Sequence, residues 1–273
     1  MGHTARQNNQ AVMLKHQLRG LTVSQLKALI FDVDGTLTDN EQDGHRVAFN
    51  RAFEKAGLGW YWDEDSYDRL LEVFGGKERI RFFIEDFLDD FRPPQDLDAF
   101  IRELHAEKTR QYVALVESGE LGLRPGVGRL LKEAHSADME LAIASTTTLK
   151  NATTLLRTTL GEESVGWFSV IACGDIVDNK KPAPDIYLHA LRELGLPAEN
   201  CLVIEDTEAG LASARAAGLK TVITVNRTTR GQDFSGAELV VDQLGEPGDP
   251  CEVLQGPKVD RGIVDLAVLR KLM

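Results

Sequence analysis

The chain has 273 residues, of which 42% are hydrophobic and 27% are charged, and its formal net charge is −12 at pH 7. This size and composition are typical of a soluble globular protein, and the acidic balance argues against nucleic acid as a partner. No apolar run approaches the length of a membrane span and no signal peptide is apparent, so we expect a cytoplasmic protein without a membrane partner.

The first 24 residues differ from the rest because they carry three basic residues and no acidic one. They are poorer in Ser and Arg than a transit peptide, so we expect residues 1–24 to be a disordered extension. A location in the plastid stroma is expected only if the source is a photosynthetic eukaryote.

The first predicted strand is an apolar run at residues 29–31, followed by Asp32, Asp34 and Gly35. Residues two apart on a strand point the same way, so the two carboxylates emerge together at its C-terminal edge. Open α/β sheets bind their ligands at that edge. Burying an unpaired carboxylate costs free energy, so the sequence predicts that a cation lies beside Asp32 and Asp34.

Residues 40–118 show helical spacing without a strand signal, which predicts an all-helical insert after the first strand. Apolar residues at 49, 52, 53 and 56 define one helix, and others are predicted over 63–74, 78–90 and 95–118. An insert at this place is typical of a lid, or cap domain, that closes over a substrate.

After residue 118 the chain alternates between short strands and helices. Strands are predicted at 139–144, 168–172, 201–204, 221–225 and 239–241. The alternation predicts an α/β fold: a doubly wound (Rossmann-like) parallel sheet core with an inserted all-helical cap domain. The predicted core comprises residues 25–39 and 119–245, and the cap comprises residues 40–118. Residues 246–273 are expected to form a C-terminal tail whose apolar end packs back on the body.

Side chains with acidic, basic and hydroxyl groups follow four of the predicted strands. They are Asp32 and Asp34 after the first, Ser145 after the second, Lys181 after the third, and Glu205 and Asp206 after the fourth. The C-terminal ends of parallel strands share one edge of a sheet, so we expect these groups to converge. Several carboxylates in one crevice require a metal, and oxygen ligands favour Mg²⁺. The lysine and the hydroxyl supply charge and hydrogen bonds for a phosphoryl group.

These strand ends resemble the motifs of the haloacid dehalogenase superfamily of Mg²⁺-dependent phosphotransferases. The motifs are DVDGTL at 32–37, AIAS at 142–145, KPAPDIY at 181–187 and VIED at 203–206. The resemblance implies that Asp32 is the nucleophile that forms an aspartyl-phosphate and that Asp34 is the general acid and base. It also implies that Ser145 and Lys181 hold the transferring phosphoryl group.

The same resemblance implies how the metal is held. Mg²⁺ is expected to bind Asp32, the backbone carbonyl of Asp34, and Asp206, with Glu205 close by or acting through water.

Segments of the predicted cap narrow the resemblance to the CbbY group, the xylulose-1,5-bisphosphate phosphatases that remove an inhibitor of rubisco. The segments are NEQDGHRVAFN at 40–50, GGKERI at 75–80, HAEK at 105–108 and, in the core, STTTLKN at 145–151. Two glycines and two cations at the start of a helix predict an anion site, so we expect a second phosphate away from the reacting one. The predicted substrate-binding residues are Glu41, His45, Arg46, Gly75, Gly76, Lys77, Glu78, Arg79, His105, Lys108, Ser145, Thr146, Thr147 and Asn151.

Three other functions stay open. A mutase of the β-phosphoglucomutase kind shares the core motifs, and a broader sugar-phosphate or phosphoglycolate phosphatase would depend little on Lys77 and Arg79. A non-catalytic sugar-phosphate sensor is the alternative from another class, although such proteins usually lack one of the first two aspartates. We expect Mg²⁺ as the cofactor, a small phosphorylated sugar as the partner molecule, and a monomer.

Overall fold

The structure is a computed structural model that describes residues 25–73, 75–88, 91–93 and 96–273. The expected extension, residues 1–24, lies outside the described residues, as do the predicted helix ends at 74, 90 and 95. Among the helices that are described, none combines the length and the apolar character needed to cross a membrane.

A seven-stranded sheet forms the centre of the molecule. Its strands are β1 (Ala28–Phe31), β2 (Glu140–Ser145), β3 (Phe168–Cys173), β4 (Cys201–Glu205), β5 (Lys220–Thr224), β6 (Leu239–Val241) and β7 (Val253–Gln255). Their spatial order is β3-β2-β1-β4-β5-β6-β7, with every neighbouring pair parallel except β6 and β7. The predicted α/β fold with a doubly wound parallel sheet is therefore confirmed.

The central strand β1 is buried on both faces, as its apolar sequence requires. Leu29 and Phe31 pack into one hydrophobic cluster, while Ala28 and Ile30 pack into a second cluster on the other face. Phe31 is level with Ile143 of β2 and with Ile204 of β4. This register brings the C-terminal ends of the three strands side by side.

Helices cover the sheet and form the insert. The insert contains a π-helical turn (Glu41–Arg46) and the helices α1 (Val47–Lys55), α2 (Glu64–Leu70), α3 (Gly76–Phe87) and α4 (Leu97–Glu117). The core contains α5 (Val127–Ser136), α6 (Leu149–Leu160), α7 (Asp185–Leu194), α8 (Glu208–Ala216) and α9 (Leu266–Leu272).

An aromatic cluster gives the insert a hydrophobic core of its own. Phe49, Phe53, Trp62 and Tyr67 are fully buried, and the rings of Phe49 and Trp62 lie 4.6 Å apart. Such contacts add to the stability that area burial supplies. The long helix α4 ends against the sheet, where Val116 joins the larger core cluster.

The last residues of the chain belong to the same body. Strand β7 extends the sheet at β6, and Val264, Leu266 and Leu269 are buried in the larger core cluster. Side chains of Arg129 and Glu133 on α5 bind backbone groups of this segment. Residues 246–273, which the sequence sets apart as a tail, thus complete one face of the core.

Replacing Leu269 with Ala should therefore lower the free energy of unfolding by about 2–5 kcal/mol, because it leaves a cavity in the core. Urea denaturation followed by circular dichroism measures the change. The matched control is Leu254→Ala in the same segment, where the side chain is 41% exposed and the expected loss is within about 0.5 kcal/mol. Equal effects of the two substitutions would contradict a structural role for the C-terminal helix.

Candidate active site

The C-terminal edge of the sheet brings the predicted core residues together. Asp32 directly follows β1, Ser145 is the last residue of β2, and Glu205 is the last residue of β4. Lys181 arrives from the loop between β3 and α7. All four of these residues are buried.

Lys181 joins the acids at the centre of this edge. Its Nζ donates to Asp32 Oδ1 at 2.6 Å, to Glu205 Oε1 at 2.5 Å and to the carbonyl of Ala144 at 3.1 Å. Burial alone would lower the pKa of Lys181, but the charges of Asp32 and Glu205 raise it well above its usual value. The lysine is therefore a permanent cation beside Asp32.

Glu205 and Asp206 have different surroundings. Glu205 accepts hydrogen bonds from Lys181, from the hydroxyl of Tyr187 at 2.8 Å and from the backbone N–H of Asp206 at 2.9 Å. Asp206 accepts from Thr36 Oγ1 at 3.2 Å and from Asn226 Nδ2 at 2.8 Å. The donors around Glu205 make it an anchor for Lys181 and for the Asp206 backbone.

The acids at this edge outnumber the cations. Asp32, Glu205 and Asp206 each offer a carboxylate oxygen within 4.8 Å of the others. Burial raises the pKa of Asp32 to about 7, although Lys181 acts in the opposite direction. Burial and the charge of Glu205 likewise raise the pKa of Asp206 well above its usual value. Because burial opposes the ionisation of Asp32 and Asp206, this set of oxygen donors fits a small divalent cation such as Mg²⁺, which would favour their ionised forms.

Asp34 lies apart from this group and is bound by the cap. Its Oδ1 lies 2.8 Å from His45 Nε2 and accepts a hydrogen bond from Asn40 Nδ2 at 3.0 Å. His45 stacks on Tyr112 and approaches Lys108 Nζ at 2.5 Å. Burial opposes ionisation of Asp34, but His45 and Asn40 together hold its pKa below the usual value. The cap thus holds the carboxylate of Asp34, whereas the family motifs assign the metal role to the backbone carbonyl of this residue.

A cleft of about 790 Å³ separates the cap from the core. Fifteen of the residues predicted as catalytic, metal-binding or substrate-binding line it: Asp32, Asp34, Glu41, His45, Gly75, Gly76, Arg79, His105, Lys108, Thr146, Thr147, Asn151, Lys181, Glu205 and Asp206. Ser145 lies beneath the surface of the cleft, where its Oγ accepts from the Thr147 backbone N–H at 3.3 Å.

Besides Ser145, three predicted substrate-binding residues do not line the cleft. Arg46 donates to Gln42 Oε1 at 2.8 Å and faces Trp62. Lys77 pairs with Asp175 of the core, and Glu78 pairs with Lys180 at 2.7 Å. The first turn of α3 directs these two side chains to the loop after β3, so they connect the cap to the core instead of facing the cleft.

Arg79 is the cation of that turn that does reach the cleft. Its guanidinium donates to the carbonyls of Leu70 at 3.0 Å and Val73 at 3.3 Å and to the Tyr67 hydroxyl at 2.8 Å. The same hydroxyl donates to Glu41 Oε2 at 2.8 Å. Three of the five guanidinium N–H groups are used in this way, and Glu41 Oε2 lies 3.9 Å from Nη1, so two N–H groups have no hydrogen-bond partner among the described residues.

Other cap groups surround the same end of the cleft. A side chain at Gly76 would collide with His105, so the helix N-terminus approaches His105 closely only because residue 76 is Gly. Burial and the charge of Lys108 lower the pKa of His105 to about 3, which makes it a neutral hydrogen-bonding group. Burial also lowers the pKa of Lys108, to about 8.

Sequence reasoning assigned no side-chain role at this site to four residues that contribute to it. Asn226 comes two residues after β5 and could have been found by the strand-end rule that found Asp206. Tyr187 lies within the KPAPDIY motif, whereas Thr36 lies within DVDGTL. No sequence pattern points to a role for Tyr67 in the site, because its hydroxyl contacts Arg79 only through the packing of α2 against α3.

Comparisons with known proteins show the family to which the chain belongs. A family model of haloacid dehalogenase-like hydrolases matches residues 26–218. The chain is 49% identical over 220 residues to the CbbY protein of Rhodobacter capsulatus, covering 81% of this chain and 94% of that protein. It is 29% identical over 232 residues to the beta-phosphoglucomutase of Bacillus subtilis, covering 81% and 91%.

A solved structure also matches the chain over most of its length. The chain matches a mutant CbbY from Rhodobacter sphaeroides in complex with xylulose 1,5-bisphosphate, with a TM-score of 0.76 and 41% identity. The match covers 82% of this chain and 97% of that one.

Asp175→Asn should weaken the closed position of the cap, because Asp175 pairs with Lys77 of the cap and lies 3.2 Å from Lys180. Exposed pairs of this kind contribute about 0–1 kcal/mol, so the KM for a sugar phosphate should rise by about twofold to fivefold. Steady-state kinetics at low and high salt measure it, and the variant should respond less to salt than the wild type. Glu162→Gln removes a surface pair with Arg157 away from the cleft and should change nothing. An unchanged KM in Asp175→Asn would contradict this electrostatic link.

Proposed function

The chain belongs to the haloacid dehalogenase-like hydrolases and to their CbbY group, and we propose that it is a Mg²⁺-dependent sugar-phosphate phosphatase whose substrate is xylulose 1,5-bisphosphate. The observation that carries the proposal is the contact of Asp32 with Lys181 beside Asp206 at the floor of the cleft. A carboxylate with a cation and further acids around it is suited to attack a phosphoryl group.

In the first step, a carboxylate oxygen of Asp32 forms a bond to phosphorus while the bond from phosphorus to the sugar oxygen breaks. Asp34 must be protonated when the substrate is bound, and it gives that proton to the departing sugar oxygen, while His45 Nε2, 2.8 Å from Asp34 Oδ1, holds the carboxyl group in place. Lys181 and Ser145 hold the phosphoryl oxygens. Mg²⁺ held by Asp32, Asp206 and the Asp34 carbonyl would supply the positive charge that favours ionised Asp32 and a bound phosphate.

In the second step, a water attacks phosphorus and the bond to Asp32 breaks. Asp34, ionised after the first step, takes the proton of that water. Inorganic phosphate leaves and Asp32 is regenerated. In the protein without substrate, His45 and Asn40 hold the pKa of Asp34 below its usual value, which favours the ionised form that accepts a proton from water.

The positive charge of the cap residues that line the cleft supports a bisphosphate substrate. Arg79 has two N–H groups for a ligand, and Lys108 and the α3 N-terminus lie at the same cleft. A phosphate far from Asp32 would meet these groups, whereas a monophosphate would leave them with their protein partners alone. We propose that the ester at C1 is cleaved and that xylulose 5-phosphate is released.

A direct assay separates the candidate functions. With Mg²⁺ present, wild-type protein should release inorganic phosphate from xylulose 1,5-bisphosphate, and Asp32→Asn should release none although it retains the wild-type circular dichroism spectrum. Asp138→Asn, at the opposite edge of the sheet before β2, is the matched control and should stay active. Isomerised monophosphate without phosphate release would favour a mutase. Binding without any turnover would favour a sensor.

Arg79→Lys should separate bisphosphates from monophosphates. A lysine keeps the charge but loses the planar pair of donors, so kcat/KM for the bisphosphate should fall by about tenfold or more. The value for a sugar monophosphate should change by less than about threefold, since its phosphate meets Asp32 and Lys181 instead.

The control for Arg79→Lys is Lys77→Ala, two residues earlier on the same turn. Because Lys77 contacts Asp175, its loss should affect bisphosphates and monophosphates to the same extent. A selective loss of bisphosphate activity in Lys77→Ala, with none in Arg79→Lys, would contradict this location of the second phosphate.

A further inference from the structure

Arg124 is a buried arginine at the point where the chain returns from the cap to the core. It is 8% exposed, and its backbone N–H donates to the carbonyl of Leu37 at 2.8 Å. The next residues, Pro125 and Gly126, lead into α5. Its side chain does not line the cleft between the cap and the core.

The guanidinium of Arg124 connects three separate segments through their backbones. It donates to the carbonyls of Gly35, of Thr224 at 2.8 Å, of Val225 at 2.6 Å and of Asp242 at 2.6 Å. These carbonyls belong to the loop after β1, to the end of β5 and to the segment after β6. A fork of five N–H donors can hold several acceptors at fixed angles, which a single ammonium group cannot do.

Two of these segments enclose the carboxylate of Asp206. Gly35 has a φ of +82°, and any side chain there would collide with Asp206. Asn226 follows Val225 and donates to Asp206 Oδ2 at 2.8 Å. Arg124 therefore binds the same two backbone segments, at Gly35 and Val225, that limit the space around the Asp206 carboxylate.

We infer that Arg124 is a positioning residue for the metal site, because it fixes Gly35 and Val225 and thereby the direction of Asp206 toward Asp32. This inference rests on the proposed function, in which Asp206 is a ligand of Mg²⁺. Arg124 touches neither the substrate nor the reacting atoms. Residues that orient metal ligands commonly change metal affinity by an order of magnitude or more when they are replaced.

Arg129 provides a matched control in the same part of the chain. Its guanidinium also binds backbone carbonyls, those of Leu244, Gly245 and Val264, at 2.9–3.3 Å. Two of those carbonyls follow β6, as Asp242 does, and the third precedes α9. None of them belongs to the segments of Gly35 and Val225 that enclose Asp206. Arg129 thus has the structural role of Arg124 without its link to the acidic site.

The experiment compares Arg124→Lys with Arg129→Lys in the full chain. Calorimetric titration with Mg²⁺ should give a dissociation constant about tenfold higher than wild type for Arg124→Lys and an unchanged one for Arg129→Lys. The KM for the sugar phosphate at saturating Mg²⁺ should stay within about twofold of wild type in both. Thermal unfolding without metal reports the loss of stability that both variants share.

Each other outcome has a definite meaning. Wild-type affinity for Mg²⁺ in Arg124→Lys, or an equal loss in Arg129→Lys, would overturn the inference and leave the proposed function intact. If neither Arg124→Lys nor Arg124→Gln folds while Arg129→Lys does, Arg124 serves the fold and the inference is wrong. Wild-type protein that binds no Mg²⁺ would instead contradict the proposed function itself.

Discussion

The burial of several carboxylates around one lysine is the constraint on which the rest of the structure depends. Taking Asp32, Glu205 and Asp206 out of water is costly, and Lys181 offsets only part of that cost. The parallel sheet makes the arrangement available, because β1 lies between β2 and β4 and their C-terminal ends are level. The remaining negative charge makes this edge suited to a divalent cation, which the proposed reaction would use to bind a phosphate.

The cap adds a second level of control through Asp34. Asp34 belongs to the core loop after β1. The two side chains that bind it, those of Asn40 and His45, come from the start of the cap. The position of the cap therefore influences both the shape of the cleft and the protonation of this carboxyl group. In the proposed reaction, closure that excludes water would coincide with the assembly of the acid and base.

Sequence patterns predicted the sheet and its acidic edge because both depend on local rules. A strand that ends at an acid puts that acid at the C-terminal edge, whatever else surrounds it, and this was enough for Asp32 and Asp206. The contacts of Tyr67 could not be predicted, because they depend on how two helices pack. Strand β7 was missed for a similar reason, since three residues in a Gly- and Pro-rich segment have no clear periodicity.

The first turn of α3 shows why charge in a sequence does not by itself locate a ligand site. Lys77 and Arg79 are two residues apart, so they project about 200° apart around a helix of 3.6 residues per turn. Lys77 consequently reaches Asp175 of the core, and Arg79 turns inward to Tyr67. Local composition marks the segment as cationic, but only the orientation of the helix on the core decides which cation meets a substrate. Specificity for a second phosphate would then depend on cap packing as much as on the residues themselves.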